Sequence, residues 1–243
     1  ANFINDVIEF NNLGAASITA AGSFASKQNR LSQMLRVNYG YDSRYLLTLT
    51  ARRDGASVFG KNTSKFAWFP SVALAWNASK EKFLENVTWL NNLKIRYSYG
   101  LAGNQGIPPY GSITSLGTVA VPYNGLSTVG LISNVLGNNN LTWESTFGGN
   151  FGIDFSIFKN KISGSIETYS TKSKDLLVYR SLPTITGYTR VLDNLGVVSN
   201  KGIEVSLKTQ NISYKDFKWE TSVNFSSNKN KIVELYGDGK DDI

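Results

Sequence analysis

An all-β, antiparallel fold is predicted for this chain of 243 residues, on three observations. Apolar and polar residues alternate with period two in run after run, so each run has one oily face and one mostly wet face. The links between the runs alternate between short or medium and long. Tyr, Trp and Phe gather beside the shorter links. Alternation alone fits a soluble sandwich, whose oily face meets a protein core. It fits equally an outer-membrane-type barrel, whose oily face meets lipid and whose polar face meets a wet lumen. The link pattern and the aromatic placement favour the barrel.

The clearest strands are the first well-patterned pair. Leu31, Gln33, Leu35, Val37 and Tyr39 alternate with Ser32, Met34, Arg36, Asn38 and Gly40, and Tyr45, Leu47, Leu49 and Ala51 alternate with Thr48, Thr50 and Arg52. Only Tyr41-Asp42-Ser43-Arg44 separates them, which forces a hairpin. Upstream, strands are expected around Val7–Phe10 and within 15–25. Downstream, Val72, Leu74 and Trp76 share a face, with Pro70 suiting a strand entry. Phe83, Leu84, Val87, Leu90 and Leu93 fall near helical spacing, so Lys80–Leu93 is expected to hold a short connector helix, loosely capped by Ser79. A strand follows with Leu93, Ile95, Tyr97 and Tyr99 outward and Lys94, Arg96 and Ser98 inward. Further strands are expected at 145–157, 162–167, 203–208 and 219–226, for roughly nine or ten in all. From 41–44 onward the links run short (41–44), long (54–66), medium (78–92), very long (101–143), short (158–160), long (173–200) and medium (209–217). That is the expectation for a barrel with brief turns at one rim and long external loops at the other. Tyr41, Tyr45, Trp76, Trp89, Phe158, Phe217 and Trp219 mark the short-link side.

Composition removes whole classes of chemistry. The chain has no Cys and no His, which excludes disulfides, thiolate or imidazole metal sites and Ser-His-Asp or Cys-His nucleophiles within it. Glu144, Asp154 and Glu167 show no recognisable catalytic pairing, so no enzyme activity and no cofactor is expected. The formal charge of +7 is spread along the chain and not gathered into a nucleic-acid patch, so no nucleic-acid partner is expected. No apolar run reaches the roughly 18 residues of a membrane-spanning helix. Secretory-leader features are missing from the first residues, and both ends of the chain read as cuts and not natural termini.

Several ordered stretches resemble the SusC/RagA-like family of TonB-dependent outer-membrane transporters. They are Tyr45–Gly60 leading to Trp68-Phe69-Pro70-Ser71-Val72, then Leu93–Gly100 with Gly103-Asn104-Gln105, Gly152–Phe155, Asn160-Lys161-Ile162, Asp175-Leu176-Leu177, Asn200–Glu204 and Trp219–Phe225 with Asn228–Ile232. The resemblance implies an antiparallel transmembrane β-barrel segment, about nine or ten strands of a larger barrel with about 22 strands, a plugged lumen and long extracellular loops. On that basis residues 1–243 are part of the barrel domain. The plug, signal peptide, TonB-engaging segment and remaining strands lie elsewhere in the complete protein. The implied setting is the outer membrane of a Gram-negative, Bacteroidetes-like cell. The implied function is uptake of an oligosaccharide or peptide, with the lipid bilayer, a SusD-like surface lipoprotein lid and the TonB complex as partners. The competing expectation is a surface or secreted β-rich protein that binds glycans without transporting them.

Residues 97–143 carry no Asp, Glu, Lys or Arg. A loop of that length is usually either functional or disordered, and its aromatics and aliphatics argue for an ordered loop with some structure of its own. Neutral sugars are held by aromatic stacking plus amide and hydroxyl hydrogen bonds, so Tyr110, Tyr123, Asn124 and Asn138 are the candidate substrate-binding residues. A packed loop that touches a partner protein is the alternative. Arg52 and Asp54 are expected to pair at a strand end and not to form a ligand site, and Asn104-Gln105 and Trp143-Glu144 to serve as structural corners.

Overall fold

The computed structural model describes residues 25–123 and 126–236. Eight strands form one antiparallel sheet. They are β1 (Arg30–Tyr41), β2 (Tyr45–Ala56), β3 (Phe66–Asn77), β4 (Leu90–Asn104), β7 (Glu144–Ile157), β8 (Ile162–Lys174), β11 (Val197–Ser213) and β12 (Lys218–Glu234). They lie side by side in that order. Two hairpins interrupt the meander, β5 (Ser115–Tyr123) with β6 (Leu126–Val135), and β9 (Leu177–Ser181) with β10 (Arg190–Asn194). The strands expected at Val7–Phe10 and within 15–25 fall on residues 1–24, outside the described residues apart from Ala25.

Register turns period-two patterning into two continuous surfaces. Leu47 pairs with Tyr39 and Leu74, Leu74 with Tyr97, and Tyr97 with Phe151. One row along, Trp76 pairs with Ile95, Ile95 with Ile153, Ile153 with Ile166, Ile166 with Val205 and Val205 with Phe225. The opposite parity is small or polar from edge to edge: Asn38, Thr48, Ala73, Ser98, Asn150, Tyr169, Gly202 and Asn228 are successive cross-strand partners. The apolar surface is solvent-exposed, including Leu35, Leu74, Val223 and Phe225. A soluble sheet would cover such an area.

The two rims differ. On one, β1 and β2 are joined through Asp42 and Ser43, both with positive φ (51° and 53°), as a tight hairpin turn requires. Arg44 N–H donates to the Tyr41 carbonyl at 3.0 Å. The β7–β8 turn uses three positive-φ residues, Phe158, Lys159 and Asn160. The connector helix expected over Lys80–Leu93 does not form. Two short 3-10 turns, Ala78–Lys80 and Lys82–Leu84, take its place, and β4 already starts at Leu90. A register shift between Leu90 and Asn92 breaks the alternation there, so the opening of a strand imitates helical spacing. The other rim carries the long links, two of which hold the β5–β6 and β9–β10 hairpins.

Candidate functional site

The principal packed core lies at the long-loop rim. Ala56, Val58, Phe59, Phe69, Ile107, Leu141, Trp143 and Leu192 form one buried cluster. Trp143 anchors it, with ring centroids 4.5 Å from Phe59 and 5.3 Å, edge-on, from Phe69. These residues come from the loop-side ends of β2 and β3 and from three links far apart in sequence, so the rim is a knot of loops on strand ends. The β2–β3 link is sewn to the end of the β4–β7 link. Gly60 N–H donates to the Leu141 carbonyl (3.0 Å), Asn62 N–H to the Asn139 carbonyl (3.1 Å), and Thr63 Oγ1 to the Leu141 carbonyl (2.7 Å). A Cβ at position 60 would sit 2.0 Å from the Asn139 carbonyl oxygen, so glycine alone permits this approach. Lys65 Nζ donates to the carbonyls of Phe59 and Gly60.

The β8–β11 link is tied in the same way. Asn194 Oδ1 accepts from Thr142 N–H at 2.8 Å, and its Nδ2 donates to the carbonyls of Thr142 and Asp175, each at 2.9 Å. Glu144 Oε2 accepts from Leu177 N–H at 3.2 Å. Trp143 and Glu144 thus act as the structural corner expected of them.

The lumen-parity face carries a charged network that spans three strands. Arg96 on β4 grips Asp154 on β7 with two hydrogen bonds, Nε to Oδ2 at 2.7 Å and Nη2 to Oδ1 at 3.0 Å. Its Nη2 also reaches Glu167 Oε1 on β8 at 2.6 Å, and Asn150 Nδ2 donates to Glu167 Oε2 at 3.3 Å. Gly152, directly opposite Arg96, leaves room for the guanidinium: a Cβ there would lie 2.9 Å from Arg96 Cζ. Both carboxylates are therefore committed to one cation across three strands. Nearer the loop rim Arg52 Nε donates to both oxygens of Asp54, at 2.8 and 2.7 Å, the strand-end pairing expected from sequence.

At the short-turn rim, Glu81 is a buried carboxylate. It accepts from the Tyr45 hydroxyl at 2.6 Å, from Trp76 Nε1 at 3.0 Å and from Arg44 Nη1 at 3.0 Å. The hydroxyl and the indole N–H, with Arg44 behind them, hold the Glu81 carboxyl below the usual range against the opposing effect of burial. Sequence reading missed this node and the Arg96 network. The inward parity of Arg96 was legible, but its partners depend on register.

The candidate substrate residues are placed unevenly. Tyr110 is exposed, has φ +64° and accepts from Lys27 N–H at 3.1 Å. Tyr123 is exposed at the tip of β5. Eight steps of ~3.3 Å carry it about 26 Å from the strand's base at Ser115. Asn124 lies outside the described residues. Asn138 points into the knot, its Nδ2 donating to the Leu192 carbonyl (3.1 Å) and Asp193 Oδ1 (3.0 Å) and its Oδ1 accepting from Asn140 N–H (2.9 Å). The structure does not gather Tyr123 with Asn138, and the Asn138 amide is used to hold the loops.

A sheet with one unbroken apolar surface, one polar surface, tight turns at one rim and knotted loops at the other is a segment of a transmembrane β-barrel wall. Residues 3–242 match the family described as TonB dependent receptor-like, beta-barrel, and the chain belongs to that family. It is 39% identical over 241 residues to TonB-dependent receptor P3 of Formosa agariphila, covering 99% of this chain and 24% of that receptor. It is 34% identical over 227 residues to TonB-dependent receptor SusC of Bacteroides thetaiotaomicron, covering 91% and 22%. Among solved structures it resembles the RagAB peptide importer in its closed-closed state, with TM-score 0.79, 31% identity and coverage of 85% of this chain and 22% of that one. The SusC/RagA-like motifs and these matches agree. The chain spans about a quarter of the length of the relatives it matches, and the family is one of receptors and transporters, not of enzymes.

Proposed function

We propose that residues 1–243 supply barrel wall and external loops to a TonB-dependent importer in the outer membrane of a Bacteroidetes-like cell. In this reading the plug, the TonB-engaging segment and further strands belong to the rest of the protein. A SusD-like surface lipoprotein closes over the loop rim, and the cargo is an oligosaccharide or a peptide. The observation that carries the reading is the apolar surface that runs across all eight strands, since such an area must be removed from water and a bilayer covers it along its whole width. The relatives support it, one bearing the name SusC and one structure titled a peptide importer. The uncharged β4–β7 link favours a neutral cargo: Tyr110 and Tyr123 offer ring faces and Asn124 an amide, while Asn138 ties the loops together through its side-chain amide.

The test is energised uptake. Cells lacking the full-length receptor should lose import of a labelled oligosaccharide or peptide pool, complementation should restore it, and a protonophore should abolish it. Recovery of the full-length protein as a soluble monomer in plain buffer, with uptake unchanged in the deletion strain, would overturn the proposal in favour of a non-transporting glycan binder.

A further inference from the structure

The apolar parity of the sheet changes character toward the loop rim. Along β12 its residues read Trp219, Thr221, Val223, Phe225 and Ser227, and then Lys229 and Lys231. Along β11 they read Leu207, Val205 and Ile203, and then Lys201 and Ser199. Along β8 they read Ile166, Thr168 and Ser170, and then Lys172 and Lys174, all exposed, while the intervening lumen-parity residues are half-buried.

Register stacks these lysines. Lys201 stands directly opposite Lys229 on one side and Ser170 on the other, and in the next row Ser199 lies between Lys231 and Lys172. Like charges directly opposed across an antiparallel pair repel. None of the five lysines takes part in an ion pair among the described residues, although Asp175 and Glu234 are near in sequence. Between the strands Tyr99 and Phe147 floor a groove lined by Lys172, Lys174 and Lys201, and the Lys174 ammonium lies 5.8 Å from the Phe147 ring centroid.

Their height decides what meets them. Trp219 belongs to the aromatic row at the short-turn rim. Lys229 is ten residues further along the same strand (219 to 229). At ~3.3 Å per residue and a tilt of ~40°, that is about 25 Å along the membrane normal, the height of the apolar band in such barrels. The lysines therefore stand where the hydrocarbon ends on the loop side.

We propose that this patch binds the phosphate groups of outer-leaflet lipids, with the ammonium groups on phosphate oxygens and Tyr99 and Phe147 against the upper acyl chain. The inference rests on the barrel reading above. Charge complementarity and position select the occupant: cargo in the lumen never meets this parity, and a protein partner would have to displace headgroups to reach it. The opposed Lys201–Lys229 pair is relieved by an anion placed between its two members.

The experiment uses the full-length receptor in neutral detergent, with native mass spectrometry reading bound lipid. The probes are lipid A carrying phosphate, the same lipid A after phosphatase treatment, and inorganic phosphate. Wild-type protein should retain the phosphorylated form about tenfold over the dephosphorylated one. The variant K172Q/K201Q/K229Q/K231Q should bring that ratio close to one, and K215Q, in the β11–β12 turn, should leave it unchanged. Retention of both lipids equally by wild type would overturn the proposal, as would displacement of lipid A by inorganic phosphate at equal concentration, which would mark a free-anion site. Loss of a co-purifying protein from the quadruple variant at unchanged lipid ratio would also overturn it. If the receptor does not partition into membranes at all, the barrel reading fails first. If it partitions normally and only the ratio is flat, this inference alone fails.

Discussion

Glu81 joins the turn between β1 and β2 to the end of β3 through three donors, Tyr45, Trp76 and Arg44. Its folded-state pKa lies below the ordinary 4.5. The sign follows: its stabilising contribution is complete above the unfolded value and disappears as pH falls through the lower, folded value. The urea midpoint of the full-length receptor should therefore decline as the medium is acidified below about pH 4.5. Glu81→Gln should show a lower midpoint at neutral pH and a flatter acid limb. An acid limb identical in wild type and variant would remove Glu81 from this role. No helical signal was needed to find this residue, but no sequence signal marked it either: one Glu among polar neighbours says nothing until the hairpin turn is folded beside it.

The loop rim is the element most dependent on packing. Phe59 and Leu141 are fully buried, and Trp143 lies between Phe59 and Phe69. Trp143→Ala removes the ring that touches two other aromatics and should destabilise the knot by about 3–5 kcal/mol. The full-length variant should then be cut by trypsin at Lys65, whose ammonium is bonded to two carbonyls in the intact rim, and at Lys61, whose flanking Gly60 and Asn62 N–H groups are bonded to the β4–β7 link. The sheet itself should keep its circular dichroism, because the core cluster lies at one rim and the strand ladder runs beyond it. Unchanged resistance at Lys61 would show that the rim is held by hydrogen bonds alone. Sequence reading recognised that the uncharged stretch 97–143 has structure of its own, and β5 and β6 bear this out. The connector helix was misread because Phe83, Leu84 and Val87 fell on a helical period by chance, and Phe83 is in fact exposed.

The two faces of the molecule give opposite expectations for one substitution. Val205 lies on the apolar parity between Ile166 and Phe225, and Ser206 lies next to it on the polar parity. Val205→Arg should cost about 2–4 kcal/mol in refolding of the full-length receptor into vesicles, and Ser206→Arg, on the wet parity, less than about 0.5 kcal/mol. Equal costs would mean that the apolar surface does not face lipid.

Alternation, turn residues and link lengths are local properties of the chain, so the sequence by itself determined the strands, which side chains share a face, and which rim has short turns. It also carried the motifs that place the chain in its family. Tertiary structure alone decided register, and with it the meeting of Arg96 with Asp154 and Glu167, 58 and 71 residues away, and of the loops that bury Trp143. Period-two patterning is satisfied by any even slip of one strand past the next. Only the summed fit of cross-strand neighbours, turn geometry and rim packing chooses among those slips. That choice turned the Asn138 amide inward and set Lys201 against Lys229.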